Sequence, residues 1–251
     1  MSLTFKLLSS PLWVTQALLI RSRTPLLPEA QGERSGEVGD GALLRVLIVG
    51  DSSAAGVGVA TQRQAFSGYL TRALAKKMSR RVRWNLVARS GISSAQALAM
   101  VQQAAPAVVD VAVVLLGVND VIEQLPSRHA VAHREQLADW LISQRGARHV
   151  MFSPLPPMGE FPVLRPPLRW IVRADAQRHD RALAQWAATR SDVWHVPIAI
   201  KLSAAGMAAD GFHAGEPVYR ACGEAVADFI SKQLREPAHT TPSCVTTKLK
   251  P

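Results

Sequence analysis

Leu43-Leu44-Arg45-Val46-Leu47-Ile48-Val49-Gly50-Asp51-Ser52 is the stretch on which the reading of the fold turns. A short aliphatic run closed by glycine marks a strand buried on both faces, whereas strict alternation would mark one wet face. Strands of the same character follow at 82–88, 108–116, 149–153 and 193–197. Helical periodicity lies between and after them, over about 65–78, 94–103, 128–144, 168–188 and 216–233. Strands alternating with helices predict an α/β fold, a doubly wound three-layer α/β/α sandwich around a five-stranded parallel sheet. Such sheets hold ligands beyond the carboxyl ends of their strands, so the residues just after each strand carry the functional information.

Working outward, residues 42–235 form the domain. Residues 1–41 hold an apolar N-terminal segment and a linker rich in Pro, Gly, Glu and Ser, and 236–251 a polar tail expected to be disordered. The 48% hydrophobic content of the 251 residues suits an ordinary globular protein. Two cysteines, Cys222 and Cys244, imply no disulfide framework and are compatible with a reducing compartment without requiring one; the cytoplasm is expected, with membrane association or the periplasm as alternatives. The net charge of +10 concentrates at Lys76, Lys77, Arg80, Arg81 and Arg83, where a helix ends and a strand begins. Cations complement the exposed carbonyls there, and no zinc-finger or RNA-binding signature accompanies them, so no nucleic-acid partner is expected. The run 7–20 is broken by Ser9, Ser10, Pro11, Thr15 and Gln16, too short and interrupted for a membrane span. Packing on the domain is the favoured reading, with peripheral membrane contact as its alternative.

Three post-strand segments carry chemistry. After the first strand stands Gly50-Asp51-Ser52-Ser53, after the third Gly117-Val118-Asn119-Asp120, and near the end Asp210-Gly211-Phe212-His213. Taken singly they read as a helix cap, an Asx turn and a surface turn with an incidental histidine. Together they place a serine, an uncharged amide donor and an Asp-x-x-His pair at one sheet edge. A serine hydroxyl is weakly nucleophilic until a base takes its proton, and that base needs an acceptor on its second nitrogen. Asp51 and Asp120 are read as hydrogen-bonding the loops around them. His129 and His133 have helical spacing but no third ligand, so no metal and no cofactor is expected.

These blocks resemble those of the SGNH (GDSL-type) hydrolase family: a Gly-Asp-Ser start, a lone glycine at Gly91, a Gly-x-Asn-Asp and a terminal Asp-x-x-His. The resemblance spans about 43–230 and implies a flavodoxin-like sheet and a serine esterase acting on a small-molecule ester. It further implies Ser52 as nucleophile, His213 as base, Asp210 as its partner, and an oxyanion hole from the Ser52 and Gly91 N–H groups and the Asn119 amide. Ser53 departs from the pattern, since many members carry an aliphatic residue there. The order Ser, Asp, His also occurs in α/β-hydrolases, but those need Gly-x-Ser-x-Gly on a later strand.

Substrate choice is expected from the apolar residues near this edge. Met158 and Phe161, in a Pro-rich loop, and Val121 and Ile122, after the asparagine block, are the candidates for an acyl groove. Packing of Met158 and Phe161 on the following helix is the competing reading. The expected reaction is hydrolysis of carboxylic esters with short or medium acyl chains. Acyl or acetyl transfer, sugar O-deacetylation and non-catalytic lipid binding are the alternatives, and the oligomeric state is not written in the sequence.

Overall fold

The computed structural model describes residues 3–198 and 202–235. The aliphatic run quoted above is β2 (Leu43–Gly50), and it lies inside the sheet. It pairs in parallel with β3 (Arg81–Ala88) on one side and β4 (Val111–Leu115) on the other, so Val49 faces Val87 and Val114 across the two ladders. β5 (His149–Phe152) and β6 (Val193–His195) extend the sheet in parallel beyond β4.

Successive side chains of β2 go to opposite layers, as the period of a strand requires. Val46 and Ile48 join a core with Leu70 and Leu74 of α4 (Phe66–Met78) and Val226 and Ile230 of α9 (Glu216–Gln233). Leu47 and Val49 join the other core, with Val101 of α5 (Ser94–Ala104), Leu137 and Leu141 of α7 (Ser127–Arg145) and Leu183 of α8 (Leu168–Ala187). Burial of this strand on both faces is why its sequence is continuously aliphatic. A buried tyrosine ties one layer together further: Tyr219 of α9 donates its hydroxyl to Val57 O at 2.7 Å.

The sheet has six strands where five were expected, and it is not wholly parallel. β1 (Ser35–Val38) runs antiparallel along β3 at the edge, giving the order β1-β3-β2-β4-β5-β6. Its sequence, Ser-Gly-Glu-Val, lies within the segment expected to be a linker. An edge strand held by backbone pairing needs no apolar periodicity, which is why the pattern was silent. The same segment is fixed to the domain elsewhere: the buried Gln62 amide donates to Ala30 O and Ala55 O.

The N-terminal run forms α1 (Leu3–Leu8) and α2 (Ser10–Arg23), separated at Ser9, two residues before Pro11. Trp13, Ala17 and Ile20 of α2 pack against Leu164, Leu168 and Val172. Gln16 locks this contact, donating to Pro166 O and accepting from Leu168 N. Lys6 pairs with Asp175 of α8 at 2.7 Å. No helix among the described residues is long and apolar enough to cross a membrane. The expected tail, 236–251, lies outside the described residues.

Candidate active site

The carboxyl end of β2 delivers Asp51 and Ser52 into a short helix, α3 (Ser52–Ala55). Asp51 caps it, Oδ1 accepting from Ser53 N at 2.9 Å. Opposite stands a tight turn before α9, closed by Ala208 N donating to His213 O and Gly211 N donating to Ala208 O. Asp210 Oδ1 accepts from the N–H groups of Phe212 and His213, both at 2.9 Å. Its other oxygen meets His213 Nδ1 at 2.6 Å, and His213 Nε2 lies 3.1 Å from Ser52 Oγ. Burial works to raise the Asp210 carboxyl, but bonds from the imidazole and from two backbone N–H groups outweigh it and hold it below the usual range. A carboxylate on Nδ1 keeps the proton there and turns the lone pair of Nε2 to the serine.

Gly91 lies in the loop after β3 and Asn119 on the short helix after β4. Gly91 adopts φ +81°, a left-handed conformation that favours glycine, and nothing lies within 4 Å of where a β-carbon would stand. Glu29, from the segment read as linker, holds the preceding residue by accepting from Ser90 N and Oγ, and it pairs with Arg34. Asn119 sits on α6 (Val118–Ile122) and donates from Nδ2 to Ile92 O at 2.8 Å, with Asp51 Oδ2 at 3.4 Å. One side chain thus bridges the loop after Gly91 and the turn that carries Ser52.

Asp120 has a larger task than a loop contact. It is wholly buried, accepts from Ser94 N (2.7 Å) and Ser94 Oγ (2.6 Å), and pairs with the equally buried Arg134 at 2.7 Å. Arg134 also donates to Ser94 Oγ and to Leu116 O. Gly117 lies against it at φ +137°, where a β-carbon would come within 2.6 Å of Arg134 Nη2. No local pattern marks Arg134, which stands on α7 among ordinary helix residues.

A cleft of about 390 Å³ opens beside Ser52 and His213. Leu155, Met158, Phe161 and Phe212 line it, so its wall is largely apolar. Phe161 packs edge-on against Phe212, and Phe212 against the His213 ring, each pair 5.1 Å apart. Met158 and Phe161 also pack with Leu168 and Val172, as the competing reading expected, while still lining the cleft. Val121 and Ile122 are not brought to the cleft. Val121 is buried beneath it and Ile122 is exposed outside it, because the one-and-a-half turns of α6 present Val118 instead. Asp180 anchors the loop above, accepting from Leu155 N at 3.0 Å and meeting His195 Nε2 at 2.9 Å.

Cys222 also lines the cleft, and burial pushes its thiol up to about 12. Among the described residues no group of three or more His, Cys, Asp or Glu could hold a metal ion.

The model of the GDSL-like lipase/acylhydrolase family matches residues 48–221, more than half of the chain. A GDSL-like esterase of Mycobacterium tuberculosis is 29% identical over 219 residues, covering 80% of this chain and 67% of that protein. The fold resembles a lipase from a goat rumen metagenome (TM-score 0.61, 18% identity, 74% of this chain and 96% of that one). It also resembles an inhibitor-bound aryl esterase of M. smegmatis (TM-score 0.59, 16% identity, 75% and 99%).

Two outcomes follow from the buried charges. Arg134→Met leaves Asp120 without its counter-ion and should lower the unfolding free energy by about 3–5 kcal/mol, read as a lower urea midpoint. An unchanged midpoint would show the pair to be dispensable. Asp51 behaves in the opposite sense to a paired carboxylate, since burial, against hydrogen bonds from Ser53, pushes it from 3.8 up to about 6. The folded state then holds its proton more tightly than the unfolded one, so this group's contribution to stability falls as pH rises from about 4 through 6. Asp51→Asn should therefore gain on the wild type by about 2–3 kcal/mol between pH 4 and pH 7 in urea unfolding. A difference that does not change with pH would contradict the raised value.

Proposed function

The chain belongs to the GDSL-like lipase/acylhydrolase family and is a carboxylic ester hydrolase, and on that footing we propose that Ser52, His213 and Asp210 carry its reaction. The supporting observation is the unbroken line of hydrogen bonds from the Ser52 hydroxyl through the imidazole to the Asp210 carboxylate. Ser52 Oγ attacks the ester carbonyl carbon as His213 Nε2 takes its proton, and Asp210 stabilises the imidazolium. The negative charge that gathers on the carbonyl oxygen is met by the N–H groups of Ser52 and Gly91 and by the Asn119 amide. Asn119 suits this task because it donates without carrying a charge and is already fixed by Ile92 O. His213 then protonates the leaving alkoxide, the alcohol departs, and water repeats the sequence on the acyl-enzyme.

The substrate proposed is an ester of a short or medium apolar acyl chain. Leu155, Met158, Phe161 and Phe212 around the cleft support it, since such a wall offers an acyl chain burial. Peripheral membrane contact through the N-terminal helices belongs to the same proposal, because α1 and α2 turn apolar side chains outward as well as inward.

Hydrolysis of p-nitrophenyl esters of rising chain length should peak at short or medium chains and vanish in Ser52→Ala. Asn119→Ala should lose about 100- to 1,000-fold in kcat with a smaller change in KM. Wild-type turnover in Asn119→Ala would remove it from the oxyanion site, and a preference for acetylated sugars would overturn the acyl assignment.

A further inference from the structure

Helix α2 is apolar on both faces. Its inner face, Trp13, Ala17 and Ile20, is half-buried against the loop and helix that build the cleft. Its flanks carry Leu12, Val14, Leu18 and Leu19 into solvent, and α1 adds Leu7 and Leu8. Leu7, Leu8, Leu12 and Leu18 are each more than half exposed, as is Trp170 on the neighbouring α8. Seven of the eleven large hydrophobic residues exposed on the described chain fall in residues 5–19, and Leu26 follows just after. A cluster of this kind marks a surface that has a partner.

Charge says which partner. No acidic residue occurs in 3–28 or in 161–174, the two segments that form this face. Arg23, Arg165 and Arg173 are exposed there and make no ion pair among the described residues. Leu19, Ile20, Arg23 and Arg165 share one groove, whose far wall is Val163 and Asp210, so the face is continuous with the surroundings of the triad. A second copy docking through a two-fold contact would set these arginines against themselves. An anionic bilayer gives the leucines hydrocarbon, the arginines phosphate and Trp170 the interfacial position that indoles favour.

We propose that the outer face of α1 and α2, with Trp170 and the rim of Arg23, Arg165 and Arg173, docks on the surface of an anionic lipid bilayer, and that the cleft takes amphiphilic esters from that surface. The first half stands on the surface alone; the second rests on the proposed esterase reading.

The test is sedimentation of the full chain with vesicles, set beside turnover of a soluble p-nitrophenyl ester. Wild-type protein should sediment with phosphatidylcholine vesicles containing phosphatidylglycerol and much less with phosphatidylcholine alone. Arg23→Gln with Arg165→Gln should weaken binding roughly 10- to 30-fold. Leu8→Gln with Leu12→Gln and Leu18→Gln should abolish it while leaving soluble-ester turnover unchanged. The same leucine variant should lose hydrolysis of a medium-chain ester of an amphiphilic alcohol embedded in the anionic vesicles. No sedimentation with any vesicle, equal binding to both lipids, or equal binding of wild type and leucine variant would overturn the docking surface. So would light scattering that shows a wild-type dimer dispersed by the leucine substitutions, because the occupant would then be a second copy. Vesicle binding without faster hydrolysis of the embedded ester would overturn the second half alone. A wild type inert towards soluble esters would instead strike the esterase reading and leave the vesicle result readable.

Discussion

The ion pair between Asp120 and Arg134 is the constraint from which the rest of the site is hung. Both side chains are sealed from solvent, so each makes the other tolerable, and the serine at residue 94 satisfies the remaining acceptor sites. The pair joins three parts of the chain that are remote in sequence: the helix after β4, the start of α5 and the middle of α7. Asn119 is the immediate neighbour of the buried carboxylate, and Gly91 lies three residues ahead of Ser94. In the proposed mechanism, donors from the Gly91 loop and from α6 are useful only if those two parts keep a fixed spacing, since electrostatic stabilisation depends on such prior alignment. The buried pair supplies that rigidity without itself touching a substrate.

A second charge, Asp51, sits on the other side of the same asparagine. Its burial makes ionisation costly, and yet it caps the helix that begins with Ser52. Asn119 is therefore held between a main-chain carbonyl and a carboxyl group of raised pKa, with the pair of Asp120 and Arg134 behind it. The imidazole is held from its own side by a separate, sequence-local device, the turn in which Asp210 gathers two N–H groups and Nδ1. One half of the centre is thus assembled by the whole fold and the other by four consecutive residues.

That division explains what could be read from the sequence. The strand β2, its layers and the Asp-x-x-His turn were legible because their signals are local: an aliphatic run, a helical period, a spacing of three. Ser52 and Asn119 were legible because the order of strands brings their loops to one edge. Arg134, Glu29 and Asp180 were not, since an arginine on a helix or a glutamate in a Pro-rich stretch looks solvated until a partner some 14, 61 or 25 residues away is known. The edge strand β1 was hidden for a related reason, as backbone pairing leaves no mark on side-chain pattern. Val121 and Ile122 misled because apolar character alone does not say which way a short helix turns its side chains.

The edge strand has a bearing on how the molecule behaves in a crowded solution. An open sheet exposes unsatisfied backbone donors and acceptors along its two margins, where a foreign strand can add and seed aggregation. Here one margin is the four-residue Ser-Gly-Glu-Val segment, guarded by Glu37 in ion pairs with Arg81 and Arg83, and the other is the three-residue β6. Without β1, the eight-residue β3, with Trp84 and two arginines along it, would itself be the margin. Four inconspicuous residues thereby convert a long adhesive border into a short, charged one.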